Sequence, residues 1–119
     1  MRLSEKKLAP KVKQEIFTCL YQLIADTNSP KEAENFCCQL LSSAEQIALA
    51  KRLAVLWALK KGQKYSQIRA RFHISPATIA KLQNDLARPE VKKIIEKLEA
   101  EEWATVWEKK IKNIFNLSS

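Results

Sequence analysis

The sequence predicts an all-α fold, and three observations carry that expectation. A single glycine, Gly62, occurs in 119 residues, so the tight turns that hairpins require are missing. Ala, Leu, Lys, Glu and Gln are abundant, and these are strong helix formers. Serine caps and prolines stand ahead of runs of apolar residues that recur at helical spacing. With an apolar fraction of 46% the chain can bury a core, and one small globular domain of about six helices is expected.

The first helix begins near Pro10, a residue tolerated at a first helical position, and runs through Ile16, Leu20, Leu23 and Ile24. Phe17 and Tyr21 broaden its apolar face, and Asp26-Thr27-Asn28 ends it. Ser29-Pro30-Lys31-Glu32 then supplies a serine cap, a proline for the first turn and a glutamate able to close a capping box, so a second helix follows and ends near Leu41. Ser42-Ser43-Ala44-Glu45 is another such start. Behind it Ile47, Ala50, Leu53, Ala54 and Trp57 recur at helical spacing until Lys60-Lys61-Gly62 closes a third helix.

A short fourth helix spans about Ser66 to Phe72, and His73-Ile74-Ser75 forms a turn in which Ser75 caps a fifth helix starting at Pro76. Ile68, Phe72, Ile74, Ile79 and Leu82 are spaced to bury one side of this pair. Pro89 opens the last segment, with Val91, Ile94, Ile95 and Leu98 before the polar stretch Glu99-Ala100-Glu101-Glu102. Trp103, Val106, Trp107, Ile111, Ile114 and Phe115 follow, as one long helix or two joined at the glutamates. Trp57, Trp103 and Trp107 fall on apolar stripes and are expected in a core or a subunit interface. Lys109-Lys110-Ile111-Lys112 reads as a solvated helix face.

Composition excludes several classes. No apolar stretch approaches the roughly 18 residues that cross a bilayer, and MRLSEKK leads into no apolar segment of a signal peptide, so no membrane partner and a cytoplasmic location are expected. Cys19, Cys37 and Cys38 are odd in number, and adjacent cysteines face different sides of a helix. Buried thiols are expected rather than disulfides or a metal site. His73 is the sole histidine and Asp26 and Asp85 the sole aspartates, which leaves few groups for acid, base or nucleophilic chemistry. Neither enzymatic activity nor a cofactor is expected.

Charge is distributed unevenly. Lys60, Lys61, Lys64, Arg69, Arg71, Lys81, Arg88, Lys92 and Lys93 face only Asp85 and Glu90 across residues 60–93, so this window carries +7 of the net +8. The excess coincides with the paired short helices from Lys64 to Leu82, the outline of a helix-turn-helix, a unit that sets its second helix in the major groove. Neutralising phosphates takes such a cationic footprint.

The helix LLSSAEQIALAKRLAVLWALKKG followed directly by YSQIRARFHISPATIAKL resembles the tryptophan repressor family, over about Phe36 to Pro89. It is most similar to the repressor-like bacterial proteins of that fold that lack an intact tryptophan pocket. The resemblance implies an intertwined helical homodimer with two helix-turn-helix units, a palindromic operator on double-stranded DNA, and a DNA-binding transcriptional regulator, a repressor. It places Ser75, Pro76, Ala77, Ala80, Lys81 and Asn84 toward base edges and Lys64, Ser66, Arg69, Arg71 and Thr78 toward backbone positioning. The family domain, with its helix-turn-helix at about 65–87, would occupy residues 1–99, and residues 100–119 would form a C-terminal helical extension.

Family members that bind tryptophan hold the indole between two arginines, with a small residue after the second. Here Arg52 matches the first, but Lys81 stands at the second, Leu82 at the small position, and Asp85 where a small polar group would approach the ligand. A lysine does not stack as a guanidinium does, and a leucine fills the space a planar ring needs. The prediction is an unknown effector, if any, and no response to tryptophan. Arg69 stands where such motifs usually carry alanine, crowding the helix crossing unless it points outward, and His73 where they usually carry glycine, requiring a strained turn conformation. A second functional reading is a helical protein-interaction module, adaptor or antitoxin-like, docking through the tryptophan-rich C-terminal helix.

Overall fold

The computed structural model describes residues 6–100 and 109–113. Six helices follow one another: α1 (Pro10–Asp26), α2 (Pro30–Leu40), α3 (Ser43–Lys60), α4 (Tyr65–Phe72), α5 (Pro76–Asp85) and α6 (Pro89–Ala100). Residues 109–113 are also helical, and the described residues contain no strand. The fold is all-α, as composition predicts. Trp103, Val106, Trp107, Ile114 and Phe115 lie outside the described residues, and so does the question of one helix or two around Glu101-Glu102.

Local chemistry sets the boundaries. Pro10, Pro30 and Pro76 each open a helix, where the missing N–H is no loss. The Ser29 hydroxyl accepts the Glu32 N–H at 3.1 Å, satisfying one of the orphan donors at the start of α2. At the start of α3 the capping box is complete: Glu45 N–H donates to Ser42 Oγ at 3.1 Å, and Ser42 N–H donates to Glu45 Oε1 at 2.8 Å. Accepting that backbone N–H, and with the Ser42 side chain beside it, the Glu45 carboxyl is held below the usual glutamate range.

The other end of α3 closes with a Schellman motif. Gln63 N–H donates to Ala58 O and Gly62 N–H donates to Leu59 O, both at 3.0 Å, with Gly62 at φ 80°. Glycine adopts that left-handed conformation at no steric cost, so Lys60-Lys61-Gly62 stops the helix as the sequence predicts.

The chain divides into two compact units, residues 1–47 and 48–119, with the division inside α3. The core belongs to the second unit. Val55, Leu56, Trp57, Ala58 and Leu59 of α3 join Ile68 of α4, Ile79 and Leu82 of α5, Val91, Ile95 and Leu98 of α6, and Ile111. Phe72 and Ile74 pack against this cluster half-buried. Burying an aliphatic side chain of this size stabilises the fold by about 1.5–3 kcal/mol, so Ile68 and Ile79 firmly tie the two short helices to the rest.

Two expectations are corrected. The stripe read along the third helix is buried only at Trp57, whereas Ile47 and Ala50 are exposed and Leu53 and Ala54 half-buried. Instead α3 is buried over five consecutive residues, Val55–Leu59, because side chains of α4, α5 and α6 and Ile111 share one cluster with that half of the helix. The thiols also differ from expectation: Cys19 and Cys38 are exposed and Cys37 half-buried. They lie on α1 and α2, helices with no buried residue in this single chain.

Candidate nucleic-acid interface

The unit from Lys64 to Asp85 is built by helix-terminal chemistry. Lys64 N–H donates to Gln67 Oε1 at 3.4 Å, which satisfies one donor at the start of α4. Arg69 and Arg71 sit in the last turn of α4, where the negative end of the helix dipole favours cations. His73 then takes φ 52° and ψ 53°, the only non-glycine residue with positive φ among those described, and its N–H donates to Arg69 O at 3.0 Å. The strained turn expected at this position is therefore present. Arg69 is exposed, so its bulk stays out of the contact between α4 and α5.

Ser75 starts the second helix. Its Oγ accepts the Thr78 N–H at 3.2 Å and lies 2.8 Å from Thr78 Oγ1, so the hydroxyl is engaged in the cap and exposed at the same time. Along α5, Ile79 and Leu82 point into the core. Pro76, Ala77, Ala80, Lys81 and Asn84 form an exposed stripe at helical spacing. Lys64, Ser66, Arg69, Arg71 and Thr78 are exposed as well. The structure thus leaves open to solvent every residue expected to meet DNA.

All nine cations of residues 60–93 are exposed. Lys81 and Asp85 are joined: Lys81 Nζ donates to Asp85 Oδ2 at 3.1 Å, and Arg88 Nη1 approaches the other oxygen, Oδ1, at 3.6 Å. The hydrogen bond from Lys81, joined by the charges of Lys81 and Arg88, holds the Asp85 carboxyl below the usual aspartate range against partial desolvation. Arg88 had no place in the sequence-level site. Its spacing of three residues from Asp85, across the end of α5, was the available clue. A second feature missed in sequence is the Lys61 ammonium, 4.6 Å from the ring centroid of Trp57.

Two short helices in contact, a left-handed turn residue between them, a capped second helix with an exposed stripe and exposed cations throughout this stretch define a helix-turn-helix protein. Comparison with family models matches residues 15–99 to the Trp repressor protein. The chain belongs to the Trp repressor family, whose proteins are DNA-binding helix-turn-helix regulators rather than enzymes. Comparison with curated proteins and with solved structures finds no match. The matched span reaches back into α1 and on to residue 99 in the last turn of α6, beyond the Phe36 to Pro89 stretch.

The residues at the family's ligand positions differ in their surroundings. Leu82 is 2% exposed and part of the core cluster. Lys81 and Asp85 satisfy each other, and Arg52 is exposed on α3 and takes no part in their ion-pair set. Among the described residues no group of histidine, cysteine or carboxylate side chains could hold a metal ion, and no described helix is long and apolar enough to cross a membrane.

Proposed function

We propose that this chain is a sequence-specific DNA-binding transcriptional repressor of the cytoplasm that acts as a homodimer on a palindromic operator and does not respond to tryptophan. The observation that carries this reading is the division of α5 into a buried side, Ile79 and Leu82, and an exposed stripe, Pro76, Ala77, Ala80, Lys81 and Asn84, in a stretch of chain, residues 60–93, whose nine cations are all exposed. Lys81 donates to guanine, Asn84 meets adenine, and Ala77 or Ala80 packs on a thymine methyl. Lys64, Ser66, Arg69, Arg71 and Thr78 set the register on the phosphates. Residues 1–99 form the regulatory domain and 100–119 an extension.

The homodimer is supported by the apolar residues that one chain leaves in water. Val12, Ile16, Phe17, Tyr21, Leu23 and Ile24 on α1 are 41% to 61% exposed, and contiguous apolar surface of this kind marks an interaction face. A second copy burying it gives two recognition helices related by a two-fold axis.

Selection of genomic fragments by the purified chain, followed by sequencing, tests the reading. Enrichment of a two-fold-symmetric motif with half-sites about one helical turn apart is the expected result. Failure to retain any duplex at low salt, or a mass in solution of one chain only, overturns it. The interaction-module reading turns on Trp103 and Trp107, outside the described residues, and no observation favours it.

A further inference from the structure

Asp85 is chemically out of place on a DNA-reading helix. It closes α5, where the helix dipole already disfavours an anion, and a carboxylate near a phosphate backbone is repulsive. The geometry compensates it on both oxygens, with Lys81 at 3.1 Å from Oδ2 and Arg88 at 3.6 Å from Oδ1. The two members of the Lys81–Asp85 pair differ in freedom. The Asp85 side chain is 18% exposed, held among its neighbours, whereas that of Lys81 is 72% exposed. The pair therefore joins a largely covered carboxylate to a long, solvent-exposed arm.

We infer that Asp85 is a positioning and specificity-determining residue: its carboxylate tethers Lys81 along the exposed stripe of α5 so that the ammonium meets a base edge, while Arg88 steadies the carboxylate from the other side. The inference rests on the DNA-reading role of α5 proposed above. An untethered lysine is a compact charge on a flexible four-carbon stem, equally served by any phosphate within reach, and phosphate contacts carry no sequence information. A tethered one has fewer orientations to lose on binding, and it stands on the exposed stripe shared with Ala77, Ala80 and Asn84. Asp85 thus trades general attraction to DNA for discrimination between sequences.

The test compares affinity for the duplex enriched by the wild-type chain with affinity for a scrambled duplex of the same composition, each over a series of salt concentrations. Asp85→Asn keeps the shape and removes the charge. The expected result is tighter binding to the scrambled duplex, a log–log salt slope steeper by about 1 on that duplex, and a specific-to-scrambled ratio lowered by about tenfold. Asp85→Glu, which retains the charge, restores most of the ratio. In a Lys81→Ala background Asp85→Asn leaves the ratio unchanged, a coupling that a merely structural role would not produce. If Asp85→Asn folds poorly, Asp85→Ser in the same cycle gives the same readout. An unchanged or raised ratio in the charge-removing variants, or an equal loss with Lys81 absent, overturns the inference while leaving DNA binding intact. A wild-type chain that enriches no duplex overturns both.

Discussion

His73 donates its backbone N–H to the carbonyl of Arg69 at 3.0 Å while its own backbone lies at φ 52° and ψ 53°, so the residue that ends α4 does so in a conformation that favours glycine. A side chain in this region destabilises the folded state by about 1–2 kcal/mol, part of which a glycine forfeits through its greater freedom when unfolded. His73→Gly is expected to stabilise the chain by up to about 1 kcal/mol net, seen as a higher Tm, with DNA affinity unchanged. His73→Val, β-branched at the same backbone angles, should lower Tm. A glycine variant that melts earlier than the wild type contradicts this account.

The capping box at the start of α3 predicts a pH dependence. The Ser42 N–H bonded to Glu45 holds the folded-state pKa of that carboxyl below its unfolded value. The bond therefore stabilises the fold at neutral pH and is lost as pH falls below the ordinary glutamate range and through the folded-state value. Denaturant midpoints collected from neutral to acid pH should fall across that window. In Glu45→Gln, whose amide oxygen still accepts the N–H but carries no charge, the corresponding part of the profile should flatten. A wild-type profile that remains level on acidification would remove the role assigned to the box.

The roles assigned on α4 and α5 separate in their response to salt. Lys64→Ala and Arg69→Ala should weaken binding to all duplexes by similar factors and reduce the log–log salt slope by about 1 each, as loss of one proposed phosphate contact apiece would do. Lys81→Ala should instead relax the preference at one position of each half-site, with discrimination there falling by about 1–3 kcal/mol. Titration of selected and scrambled duplexes at several salt concentrations distinguishes the two patterns. Position-specific losses from Lys64→Ala would reverse its assignment.

Leu82 is part of the core cluster. Leu82→Ala should therefore destabilise the chain by about 2–5 kcal/mol, as truncation of a buried leucine does. Adding L-tryptophan to the wild type should produce neither heat in a calorimeter nor a change in Tm, whereas a bound ligand raises Tm in proportion to its occupancy. A tryptophan-dependent rise in Tm would reinstate a pocket at this helix.

Helix boundaries were legible because they rest on short-range chemistry. The Ser29, Ser42 and Ser75 caps, the prolines at 10, 30, 76 and 89, and Gly62 each act within one helical turn, and each lies at the end the sequence marks. What each helix packs against was less legible. The spacing of Ile16, Phe17, Leu23 and Ile24 shows an apolar face but not whether its cover comes from the same chain, and in one chain that face stays exposed. The same limit explains the exposed cysteines and the burial of α3 over Val55–Leu59, since periodicity describes one contact face and cannot count the neighbours surrounding a helix. In the candidate site the exposed stripe of α5 was readable from residue type and register. The Lys81–Asp85–Arg88 arrangement was not, because Arg88 lies beyond the helix end and its approach depends on the backbone path there.

The length of α5 has a consequence of another kind. Ten residues make a helix about 15 Å long, and a duplex advances about 3.4 Å per base pair, so the whole element could lie alongside no more than about four base pairs. A word of four letters recurs by chance on the order of every few hundred base pairs, far too often to designate one place in a genome that offers millions of alternatives. Reading the word twice, at a fixed interval and in mirrored order, multiplies the rarity of the address without lengthening the helix. For a chain that reads DNA as proposed, the shortness of α5 would therefore make duplication an informational requirement as well as a means of covering apolar surface.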